Sequence, residues 1–129
     1  MAKLNTILIA GLVDLSGKIL YYYAIPDNAV DLPKPPFKVT HTETGFYNVE
    51  FLGEVFTEAP GPVVTATIYG QPVFGDGTNT KDNAIVVDLK RSYARIKTGD
   101  SEGNASDRSF FFTAVGTYEV GISFSADSS

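Results

Sequence analysis

The chain has 129 residues, of which 43% are hydrophobic, with a net charge of −5 and no cysteine. That length makes one domain able to bury a core, and the apolar fraction excludes a disordered chain. The acidic balance, with no Lys/Arg cluster, removes the electrostatic term a nucleic-acid binder needs, and the missing cysteines exclude disulfides, Cys-ligated zinc and thiol nucleophiles.

The apolar residues are mostly β-branched or aromatic, with nine Phe and seven Tyr, while twelve Gly and seven Pro supply turns. Such a mix fits pleated, half-buried surfaces better than helices. Residues 5–13 read as the first strand, carrying the apolar run Ile7 to Val13. Seven apolar residues are too few to span a bilayer, and with a single Lys3 ahead of them no secretion signal is expected. Residues 18–25 read as a second strand containing Tyr21, Tyr22 and Tyr23, followed by a loop over 26–36 with four prolines. Prolines at that density block ladder hydrogen bonds and fix an extended course.

The segment 37–51 is the clearest hairpin. Phe37, Val39 and His41 alternate on one face, the polar turn Thr42-Glu43-Thr44-Gly45 follows, and Tyr47, Val49 and Phe51 alternate again. Side chains of a strand point to opposite faces in turn, so the period of two marks two half-buried strands. Residues 53–61 form a turn. Residues 63–69 read as a strand apolar enough to sit centrally, and 70–83 as a long polar loop. Strands over 84–89 and 92–98, a loop over 99–106 and a strand over 107–115 follow. A last alternating stretch, 117–124, leads to a polar tail at 125–129. No period of 20 to 50 residues points to a propeller or solenoid.

Eight or nine short strands in one domain predict an all-β, antiparallel sandwich or jelly roll of two packed sheets. Several strands are apolar on both faces, as in Phe110-Phe111-Phe112 and in Phe46 opposite Tyr47. One face fills the core and the other needs cover, which another copy of the chain would provide. Phe46 and Phe111 are therefore the candidate oligomer contacts.

Residues that carry chemistry are few. His41 is the only histidine, and with no Gly-x-Ser-x-Gly elbow a structural hydrogen bond is favoured over catalysis. The loop residues Asp100, Glu102, Asn104 and Asp107 space oxygen ligands as a calcium site would, against the ordinary reading of Asp, Asn and Ser as turn formers. Asp76, Asp82 and Asp88 are weaker metal candidates. Arg108 suits a carboxylate or sulfate ligand, or a structural ion pair through its planar fork of donors, with the second favoured. Tyr21, Tyr22, Tyr23, Tyr69 and Phe74 are candidates for an aromatic binding platform, with Tyr22 on the face opposite Tyr21 and Tyr23 and at least one of those faces read as core.

Two blocks carry a resemblance. One is Phe37-x-Val-Thr-His-x-x-Thr-Gly-x-Tyr-x-Val-x-Phe51, preceded by Ala10-Gly-x-Val13 and Gly17-x-Ile19. The other is Gly103-x-x-x-Asp107-Arg108-x-Phe110-x-Phe112-x-Ala114-Val115-Gly116. With Ala59-Pro60 and the run Val63 to Thr67 between them, they resemble a β-sandwich module of bacterial surface proteins and phage tail fibres. That module is similar to H-type lectins and, more remotely, to the globular heads of complement-type trimers. The likeness covers about residues 10–116. It implies a homotrimer at the end of a fibre or stalk, an extracellular or virion-associated setting, and a sugar site shared between subunits. The chain has no Trp, which the lectin pattern includes, so no sugar-contacting positions are carried over.

The expected function is non-enzymatic surface recognition by a homotrimer, with glycans or a protein receptor as partner and no cofactor beyond the candidate calcium. The competing expectation is a structural trimerisation or capping domain with no small ligand. A third is a hydrolase using loop carboxylates.

Overall fold

A computed structural model describes residues 3–26, 32–58, 61–70 and 81–120. Eight strands follow in chain order: β1 (Lys3–Val13), β2 (Ile19–Ile25), β3 (Phe37–Glu43), β4 (Phe46–Phe51), β5 (Val63–Ile68), β6 (Asn83–Lys90), β7 (Tyr93–Gly99) and β8 (Phe110–Val120). They form two antiparallel four-stranded sheets, ordered β2-β1-β8-β5 and β3-β4-β7-β6. The all-β, two-sheet expectation is met, and the arrangement is that of a β-sandwich. Among the described residues no helix is long and apolar enough to cross a membrane.

The period of two holds on both sheets. In β7 every second residue is buried, placing Ala94, Ile96 and Thr98 inward. In β1, Ile7, Ile9 and Val13 face the core, and in β8 Phe110, Phe112 and Ala114 do. The core is aromatic: Phe37 meets Phe112 edge-on at 4.8 Å, and Tyr47 meets Phe110 at 5.0 Å. Off-centre and edge-on rings add specific attraction to the area they bury.

Two expectations are corrected. The segment 107–115 and the stretch from 117 onward are one strand, starting at Phe110 and running through Gly116, which pairs with Ile7. Gly116 is not a turn. A Cβ there would lie 2.5 Å from Cδ1 of Phe56 and 3.2 Å from Cα of Pro62, so the glycine makes room for a buried ring. The segment beginning at Val63 is an edge strand and not a central one: β5 pairs only with β8. Its apolar residues Val64, Ala66 and Ile68 serve the core on one face, while Val63 on the other is 66% exposed.

Candidate functional site

The two outer faces of the sandwich differ in chemistry. On the β3-β4-β7-β6 sheet the outward side chains of β3, β4 and β7 are mostly charged or polar and paired, and β6 adds the exposed apolar Ile85 and Val87. Lys38 reaches Glu50 at 3.6 Å and Arg95 reaches Glu43 at 3.1 Å. Arg95 also donates to Oδ1 of Asn48 at 3.0 Å, and the Tyr93 hydroxyl donates to Asp88 at 2.5 Å. That last bond, ahead of the backbone N–H of Leu89, holds the Asp88 carboxyl below its usual range and raises the Tyr93 phenol.

Where its four strands overlap, the outer face of the β2-β1-β8-β5 sheet is uncharged. The register sets its side chains in rows. Ile25, Leu8, Val115 and Val63 form one; Tyr23, Ala10, Thr113 and Thr65 the next; Tyr21, Leu12, Phe111 and Thr67 the third. Two strands extend it with the pairs Thr6–Thr117 and Leu4–Glu119, so its one charged residue among the described ones stands at the margin. Tyr23 is 59% exposed and Ile25 61%. Leu12 is buried yet lies outside the core cluster, because its neighbours on this outer face cover it. Seven of the twelve row residues are aliphatic or Phe and the other five are Thr or Tyr.

At one end of the sandwich a polar node joins the hairpin to the approach to β8. Oδ1 of Asp107 accepts the Gly45 backbone N–H at 2.6 Å and sits 2.8 Å from Nε2 of His41. The His41 ring stacks on Tyr47 at 4.6 Å, and the Tyr47 hydroxyl donates to the Leu15 carbonyl at 2.7 Å. Burial, then the charge of Asp107, pushes the Tyr47 phenol far above its ordinary range. Gly45 has a φ of +77°, and a Cβ on it would meet the Thr98 carbonyl at 2.7 Å. His41 thus has the structural hydrogen bond expected of it.

Arg108 is occupied. Its Nε donates to Asp82 at 3.2 Å, with side-chain exposures of 13% and 5%, and its Nη1 donates to the Ser106 hydroxyl and the Asp107 carbonyl. The ion pair of the structural reading is present.

Of the four proposed calcium ligands only Asp100 and Asn104 are seen side chain to side chain, the Asn104 amide donating to Asp100 at 3.5 Å. Asp100 turns its Oδ1 to the backbone N–H groups of Glu102 and Asn104, both at 2.9 Å. Those bonds, Asn104 first, hold its carboxyl below the usual value. Asp107 faces the node instead. No group of three or more His, Asp or Glu among the described residues is placed to hold a metal ion.

The aromatic platform is also rearranged. Tyr22 turns inward and meets Phe37 edge-on at 6.3 Å, against the core. Tyr69 lies against Phe111 at 5.3 Å, while Phe74 and Asp76 lie outside the described residues. Phe46 is capped by its own chain, with the Arg95 guanidinium 4.7 Å and the Lys97 ammonium 5.7 Å from its ring centre. A cation over a ring face is a satisfied contact, so Phe46 is not the open apolar contact expected. Phe111, by contrast, lies in the uncharged rows.

Sequence reasoning passed over Leu8, Ile25, Val63 and Val115. Their signal was the absence of charge on the second face of each strand, which gains meaning only once the register lines those faces up. No protein-family model, curated protein or solved structure matches the chain.

Proposed function

We propose that this protein is a non-enzymatic assembly module, a homotrimer whose copies cover one another's uncharged sheet face, and that it recognises glycans where subunits meet. One observation carries the reading: three cross-strand rows of four residues each hold no charge, while the opposite outer face is laced with ion pairs. Burying such apolar rows is favourable by about 25 cal/mol per Å² of area removed from water. Covering the ion-paired face would gain far less, because its charges would lose hydration. The neighbouring of the first and last long strands, β1 and β8, at the centre of a sheet is a feature shared with jelly-roll winding.

The glycan half rests on the margin of the face. Tyr69, braced edge-on by Phe111, stands there, and an aromatic plane at a subunit junction suits the apolar face of a sugar ring. The competing reading, a structural trimerisation or capping domain, needs only the assembly. A glycan array probed with the intact protein separates the two. Binding that is lost in Tyr69→Ala supports recognition, and silence across the array leaves the structural domain.

A further inference from the structure

The uncharged face carries both a protrusion and a recess. Its middle row runs Tyr23, Ala10, Thr113 and Thr65. Beyond Tyr23 the side chains of this row are small. On one side stands the row of Leu8, Val115 and Val63; on the other stand Leu12 and Phe111 over β1 and β8 only, that row ending on β5 in Thr67. The small residues therefore floor a trough across the sheet, opening at the β5 edge. At the opposite, β2 edge, Tyr23 projects with 59% of its surface exposed, held by the Tyr21 ring edge-on at 5.9 Å.

We infer that this face recognises a second copy of the chain by seating the Tyr23 ring of one copy in the Ala10–Thr113–Thr65 trough of the next. This deepens the assembly reading above and rests on it. The ring would fill the gap between the two ridges, and its hydroxyl would reach the threonine hydroxyls, giving a buried phenol the partner it needs. A partner recognised by charge finds nothing to read here, whereas a second copy supplies the matching knob and hole.

The area is sufficient. Strands about 4.8 Å apart and rows about 6.7 Å apart give the face roughly 500 Å² per copy. That face and the neighbouring surfaces that cover it together amount to about 1,000 Å² for each copy of the trimer, where specific interfaces begin.

The test uses light scattering over a concentration series on the full chain, with circular dichroism to confirm folding. Wild type, Tyr23→Ala, Thr113→Phe and the double variant Tyr23→Ala/Thr113→Phe are compared. Each single change should weaken assembly at least tenfold, by removing the knob or by filling its hole. The double variant should recover most of that loss, because the new Phe occupies the space the missing ring leaves. A role confined to the fold of the monomer gives no such rescue. Single variants that assemble like wild type, or a double no better than the singles, overturn the knob-and-trough contact and leave the assembly reading standing. A wild type that stays monomeric at every concentration overturns the reading beneath it.

Discussion

Asp107 does work that no strand ladder supplies. It lies before β8 begins, and one carboxylate oxygen ties the Gly45 turn and the His41 ring to that approach. Bonds to an ionised acceptor are stronger than neutral ones, and a buried N–H left unpaired carries a desolvation penalty. Replacing Asp107 with Ala should lower unfolding stability by about 2 kcal/mol, measured by urea denaturation. Asp107→Asn, which keeps an acceptor for the Gly45 N–H, should lose less than half of that. Equal losses from both would place the value of Asp107 in its charge toward His41 and not in the turn. Sequence alone could nominate His41 and Asp107 separately. Their separation of 66 positions gave no reason to join them.

At the scale of elements, alternation made the strands legible and glycine made one of them misleading. The hairpin over 37–51 emerges with its turn at Gly45, because a period of two on both sides of a polar turn has one physical meaning. Gly116 fell between two strands read as separate, yet its role is close approach: the Phe56 ring lies where a side chain would be. Gly116→Ala should therefore cost about 1–3 kcal/mol through overpacking. Gly116→Ala with Phe56→Leu should regain part of it, both read by the shift of the urea midpoint. An unchanged midpoint for Gly116→Ala would show that Phe56 moves aside freely. The edge position of β5 was hidden for another reason. Apolar content reports how much of a strand is covered, not whether a neighbouring strand or another surface covers it. Phe46 shows the same limit, since its cover is Arg95 and Lys97 from a strand distant in sequence.

At the scale of the molecule, the sandwich has two unlike outsides. One is tied down by ion pairs and a ring held under cations; the other is three uncharged rows broken only by a trough. The expectation that two-faced strands need cover from another copy came from sequence, but it pointed to Phe46 and Phe111 together. The register separates them, leaving Phe111 in the apolar face and Phe46 on the charged one. In the proposed assembly the β2-β1-β8-β5 face is buried between copies. Sedimentation equilibrium at micromolar concentration tests it most directly, comparing wild type with Val115→Glu, which sets a charge in the first row. Wild type should sediment at three times the 13.9 kDa of one chain, and Val115→Glu as a folded monomer. A monomeric wild type, or an oligomer that Val115→Glu leaves intact, would contradict it.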